Sequence, residues 1–252
     1  MADLDEIVAY LDQELRTSEI QDYPGAMNGL QLANEGNVSH VVAAVDASLP
    51  VIRAAAEKGT NGLLIVHHGM FWQGARPLTG AFYQKIKIAM DAGMAIYSSH
   101  LPLDVHPEHG NNAILARLIG IEDPQPDLLQ NGLHIGLKGI WRGKRRDLAL
   151  KIASAVGGPV HLCPAGPEMI HSIVLCTGGA GSEVEKAAAT GADTFVTGEG
   201  PHWSYTIAEE LGINLFYAGH YSTEVYGVQS IAKILAGIYQ VPTSFIGHPT
   251  GL

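Results

Sequence analysis

Leu63-Leu64-Ile65-Val66 is an unbroken run of branched apolar residues that halts at His67-His68-Gly69. It reads as a buried strand. Successive strand side chains point to opposite faces, so a strand of this composition must be covered on both. A sheet lying between helices meets that demand. The same alternation turns His67 and His68 to opposite faces. They cannot easily serve one point together, but they can serve two, such as a pair of metal ions a few ångströms apart.

The rest of the chain repeats the alternation that such a fold needs. Leu4, Ile7, Val8 and Leu11 stand at helical spacing, so residues 3–17 read as an amphipathic helix with acids in its first turn. A Gly/Pro/Asn loop follows, in which residues 28–32 lead into a strand; a strand is expected over 40–46, followed by a helix over 49–58 and the strand at 63–66. A helix over 82–92 leads to a short buried strand at 94–98. Pro102 disfavours helix at Leu101, which makes Ser99 to His106 a loop past a strand end. Helix returns over 111–119. Residues 121–142, rich in Pro and Gly, read as a connection. Further strands are expected at 173–179, 194–196 and 213–218, with helices at 182–190, 203–211 and from Val225 onward. This is an α/β pattern with mainly parallel strands. Ligands of such folds gather beyond the carboxyl ends of strands, where the histidine segments fall.

The two halves echo one another. Gly93 to Asp104 and Gly212 to Glu224 each run glycine, short apolar strand, small residues, then His-x-x-x-acid. Asp46, Gly59 and His67 stand at the spacings of Gly178, Gly191 and Glu199. We therefore expect an internally duplicated α/β fold. Residues 1–125 form the N-terminal lobe and 126–252 the C-terminal lobe, the two allowed to interwind.

Composition removes several classes of function. A net charge of −10 argues against general nucleic-acid or anionic-membrane binding. Apolar runs are strand-sized and the N-terminus has no signal-peptide core, so a soluble, cytoplasmic protein is expected. Cys163 and Cys176 form no metal or redox motif and read as buried thiols.

His67, His68, Asp104, His220 and Glu224 are the candidate metal ligands. Imidazole suits zinc, iron, nickel or manganese, and a carboxylate can bridge two ions. Glu224 follows His220 by four residues, so both can face one pocket. A bridging Glu224 would hold ions about 3.5–4 Å apart. Five ligands leave positions open, as catalytic sites require. His100 reads as a residue behind the ligands, orienting Asp104 or relaying a proton. His106 and His109 are either surface or cleft residues. Glu199 or His202 is a further candidate acid or base. The turn from Thr177 to Ser182 could cradle a phosphate, although tight strand–helix packing explains it better. Phe71 and Trp72 could stack a ring or simply wall the pocket.

These segments together resemble one family. They are His67-His68-Gly69-x-Phe71-Trp72, the stretch from Ser99 to Asn112, Cys176-Thr177-Gly178-Gly179, and Ala218-Gly219-His220-x-Ser222-Thr223-Glu224. They resemble the Nif-three-like dinuclear-metal family, whose bacterial members are called GTP cyclohydrolase 1 type 2 homologues. The likeness runs from Asn28-Gly29-Leu30-Gln31 to the last helix. It implies duplicated three-layer α/β/α lobes and a toroidal homohexamer, a trimer of dimers. Two divalent ions per chain are implied, on residues matching His67, His68, Asp104, His220 and Glu224. The chain resembles the short form, without a domain inserted between the halves. A tryptophan expected before Asn28 is replaced by the stretch Tyr23 to Met27. The implied activity is dinuclear metal-dependent hydrolysis of a nucleotide or related small molecule; on our reading of the residues, His100 and Glu224 are the candidates for catalytic roles in it. The alternative is a metal-binding regulator, metal-handling protein or assembly scaffold without catalysis.

Overall fold

The computed structural model describes residues 1–252. The chain forms two compact units, Met1–Leu103 with Gly227–His248, and Asp104–Tyr226 with Pro249–Leu252. In order, its first elements are β1 (Ala2–Asp3), α1 (Leu4–Glu14), β2 (Gly29–Leu32), β3 (Asn37–Val38), β4 (His40–Asp46) and α2 (Leu49–Ala56). Then come β5 (Gly62–His68), α3 (Gly80–Asp91), β6 (Ala95–Ser98), α4 (Leu101–Asp104) and α5 (Asn111–Ile119). The middle of the chain supplies β7 (Glu122–Gln130), β8 (Leu133–Lys144), α6 (Arg145–Val156), β9 (His161–Pro164) and β10 (Met169–Cys176). It closes with α7 (Val184–Ala189), β11 (Thr194–Thr197), α8 (His202–Leu211), β12 (Asn214–Tyr217), α9 (His220–Thr223), α10 (Val225–Tyr239) and β13 (Thr243–Phe245).

The first unit is built on the sheet β13-β4-β5-β6-β2, in which only β2 runs antiparallel to its neighbour. Its strands are apolar on both faces, and alternate residues go to different helical layers. Val41, Ala43, Leu63, Ile65 and Tyr97 pack with Leu4, Ile7 and Leu11 of α1 and with Val228, Ile231 and Leu235 of α10. Val42, Ala44, Leu64, Val66 and Ile96 pack with Val51, Ile52 and Ala55 of α2 and with Phe82 and Ala89 of α3. Each fully buried Leu, Ile or Val contributes roughly 1.5–3 kcal/mol relative to exposure, so the doubly covered strand is the stable solution. Caps fix the helix starts: Asp3 accepts from the Glu6 amide at 3.0 Å, and Ser48 accepts from the Val51 amide.

The second unit is built on the sheet β7-β8-β10-β11-β12-β9, with β10, β11 and β12 parallel and the others antiparallel. Ile173, Leu175, Val196 and Phe216 share a core with Leu115 and Ile119 of α5 and Leu148 and Ile152 of α6. Each unit thus contains a run of three parallel strands, β4-β5-β6 and β10-β11-β12, whose last strand pairs with one antiparallel strand that precedes the run in sequence, β2 and β9, which is the duplication expected from the motif echo. Sheet register refines the correspondence. Val66 pairs with Ser98 and Thr197 with Tyr217, so Glu199 answers to His68 rather than to His67.

Two local expectations are corrected. Leu101–Asp104 is one turn of helix, because a proline in a first helical turn lacks only an amide that needs no partner there. The Pro/Gly-rich stretch expected as a connection is the hairpin β7–β8, closed by Asn131-Gly132 between Gln130 and Leu133. Pro124 and Pro126 are tolerated because β7 is an edge strand. No helix is long and apolar enough to cross a membrane.

Burial also sets an alkaline limit on each unit. It raises the Tyr97 phenol, whose hydroxyl donates to Asp12 at 2.7 Å, and it pushes Tyr226 up to about 12. Below pH about 10 these phenols are neutral in both states. Above it the unfolded chain loses its protons first, so stability falls between about 10 and 12. Thermal melts across that range are expected to show a falling melting temperature, with a flatter slope in Tyr226→Phe; an unchanged slope would remove Tyr226 from the account.

Candidate metal centre

In the first unit, β5 delivers His67 and His68 to its carboxyl end, and the chain after β6 delivers His100. The Nδ1 atoms of all three lie 2.9 Å from an acceptor: Ser99 carbonyl for His67, Asp46 Oδ1 for His68, and Asp22 Oδ1 for His100. A carbonyl or carboxylate only accepts, so the proton sits on Nδ1 and the lone pair on Nε2 of each ring. One ligand atom from each of the three lies within 4.8 Å of the others. The ring centroids of His67 and His68 are 4.7 Å apart, and those of His67 and His100 are 4.9 Å apart. The two adjacent histidines therefore stay closer than strict alternation demands. His68 is the last residue of its strand, and Asp46 holds it from the neighbouring one.

Asp22 is the positioning residue that sequence reasoning missed. Its carboxylate accepts from Asn28 Nδ2 and the Leu101 amide at 2.8 Å as well as from His100. Burial alone would raise this carboxyl, and the His100 and other hydrogen bonds outweigh it, so its pKa falls below the ordinary value. Trp72 and Tyr23 flank the His100 ring, with centroids 4.7 and 6.0 Å away. Tyr23, from the stretch that replaces the expected tryptophan, also packs against Trp72 at 6.4 Å. Phe71 instead packs edge-on to Phe82, in the core.

In the second unit, Asp104 is buried and held by Asn111 Nδ2 at 2.8 Å, with Thr177 Oγ1 at 3.4 Å. His220 opens α9, with Nδ1 2.8 Å from Glu199 Oε1 and Nε2 3.2 Å from Glu224 Oε2. Burial pushes its imidazole toward the neutral form, but the carboxylates of Glu224 and Glu199 override this and lift it to about 9. Glu224 stands at the break between α9 and α10 and is only 2% exposed. Gly178 makes room for it: a Cβ there would stand 2.1 Å from Glu224 Oε1.

This donor set fits divalent metal. It offers imidazole and carboxylate without thiolate, since Cys176 is a buried thiol that donates to the Ile135 carbonyl and is pushed up by burial. Asp46→Asn is expected to weaken metal binding about 10- to 100-fold by loosening His68, measured by chelator competition; unchanged affinity would make Asp46 irrelevant to it.

Other candidates take lesser places. His106 Nδ1 accepts from the amides of Glu108 and His109, which closes a turn. His202 is exposed at the start of α8. The turn at Thr177 has already committed its amides at Thr177, Gly178, Ala180 and Gly181 within the fold, so it is no phosphate cradle.

Fold and side chains together define a mixed α/β protein whose buried His, Asp and Glu groups can hold a metal ion. The chain belongs to the Duf34/NIF3 (NGG1p interacting factor 3) family, whose pattern matches residues 2–248. It is 38% identical over 251 residues to a Deinococcus radiodurans protein named "GTP cyclohydrolase 1 type 2 homolog", covering 98% of this chain and 94% of that one. A Halobacterium salinarum protein of the same name is 36% identical, covering 99% and 100%. Among solved structures, TTHA1606 from Thermus thermophilus matches with a TM-score of 0.91 and 34% identity over the whole of both chains. The protein ybgI, described as of unknown function, matches with a TM-score of 0.92 and 32% identity over the whole of both chains.

Proposed function

We propose that the protein is a dinuclear divalent-metal-dependent hydrolase, with His67, His68, Asp104, His220 and Glu224 as ligands and Glu224 shared by both ions. The observation that carries this reading is the adjacent pair His67 and His68, each held at Nδ1 so that its other nitrogen is the donor. Such pinned rings are what metal ligation asks of histidine. What the ions supply when bound is Lewis-acid polarisation and neutralisation of developing charge.

The chain's own residues do the rest. Asp22 fixes the tautomer of His100, leaving Nε2 to take a proton from water and return it to a leaving group. Glu199 orients His220, and Gly178 keeps Glu224 in place. The names of the relatives point to GTP or another nucleotide as the substrate class. The family resemblance adds assembly as a homohexamer, which light scattering would test.

The purified, metal-reconstituted protein should turn over a member of a nucleotide panel. His100→Gln is expected to keep its metal and lose at least tenfold in kcat, in line with a general acid–base role. If His100→Gln loses metal instead, His100 is a ligand. If metal-replete protein turns over nothing and metal removal dissolves the assembly, the ions are structural and the scaffold reading replaces this one.

A further inference from the structure

The second unit contains a cleft of about 760 Å³, within the range typical of small-ligand sites. Aromatic side chains of His161, Tyr205 and Tyr217 line it, along with Glu199. His161 and Tyr217 are cross-strand partners on β9 and β12, with rings 6.0 Å apart and inclined by only 26°. Tyr205 on α8 lies 5.7 Å from the His161 ring. Ser204 Oγ gives its proton to the Pro201 carbonyl, so the Tyr217 hydroxyl donates to Ser204 across 2.7 Å and the phenol is held in one orientation.

The duplicated fold provides its own control. In the first unit, the strand pair equivalent to β9–β12 is β2–β6, and there Gly29 faces Ser98 at the register where His161 faces Tyr217. The architecture is satisfied at that position by glycine and serine. The aromatic pair is therefore an addition to the second unit, not a packing requirement of the fold, and it opens onto a cleft. Gly198, Gly200 and Gly219 also line the cleft. Close backbone packing excludes a Cβ at the first two, so bare main chain stands there.

We infer that this cleft binds a planar nitrogen heterocycle bearing N–H donors, stacked on the rings of His161 and Tyr205 and hydrogen-bonded to Glu199. Stacking on aromatic faces is the recognition such walls provide. Glu199 already accepts from His220 at 2.8 Å, and a carboxylate has lone pairs to accept more. This inference rests on the hydrolase reading and deepens it by naming the residues that hold the substrate's ring, because Glu199 ties the cleft to the candidate ligand His220.

The probes are guanosine, which carries ring and exocyclic N–H donors, and caffeine, a fully methylated purine without them. Binding is measured by calorimetry on the full-length protein, with manganese and after its removal, alongside thermal melts and metal content. Guanosine is expected to bind in both conditions and caffeine much more weakly. His161→Ala and Tyr205→Ala are each expected to weaken guanosine by about tenfold, with metal content unchanged. Guanosine binding that is absent, or untouched by both substitutions in folded protein, would overturn the inference while leaving the metal reading intact. Ring-dependent guanosine binding by a protein that takes up no manganese would do the reverse.

Discussion

Glu224→Ala is expected to leave less than half of the bound metal on the protein, with affinity for what remains reduced by more than about 100-fold. Loosening a residue behind a ligand already costs about 10- to 100-fold, and Glu224 is proposed as a ligand of both ions. The side chain is almost wholly buried and 3.2 Å from His220 Nε2, so its loss also removes the strongest influence raising that imidazole after burial is allowed for. Elemental analysis of protein dialysed against manganese reads the outcome directly. His68→Ala should show a similar loss, and scattering should show each variant with the wild-type mass. Full metal occupancy in Glu224→Ala would exclude it as the shared ligand.

The second large effect is expected at Gly178, where fold and site meet. Its φ is +69°, in the left-handed region, where any other L-residue costs about 1–2 kcal/mol. An added Cβ would also overlap Glu224 Oε1, at 2.1 Å. Gly178→Ala should therefore destabilise by about 3 kcal/mol, toward the upper end of ordinary single substitutions. For a chain of this size that lowers the melting temperature by about 6–12 °C. It should also depress metal binding, because Glu224 must move. Gly157→Ala is the control: its φ is +68°, but no atom lies within 4 Å of the new Cβ. It should show the conformational cost alone and unchanged metal binding. Equal effects at the two positions would mean that the Glu224 contact carries no energy.

Much of this arrangement was legible in the sequence because it is carried by short-range pattern. Leu63 to Val66 could only be a doubly covered strand, and its two helical layers follow. His67, His68, His220 and Glu224 stood out as candidates because they stand at strand ends in segments with repeated order. Asp22 was not: it lies in an irregular loop, and its value comes from an approach to His100 across 78 residues that no local pattern encodes. Asp46 was visible only as a spacing marker, although it fixes His68. The β7–β8 hairpin was hidden by two prolines, whose usual meaning is reversed at a sheet edge. The correspondence between halves was off by one residue at His68, because β4 and β5 pair at an offset of 22 residues where β10 and β11 pair at 21.

The most direct test is anomalous diffraction from crystals grown with manganese. Two strong peaks per chain are expected, with His67 and His68 bonded to ions that Asp104 and His220 also bind, and with Glu224 bonded to both. Peaks held by His67, His68 and His100 alone, or no peak at Glu224, would contradict that arrangement.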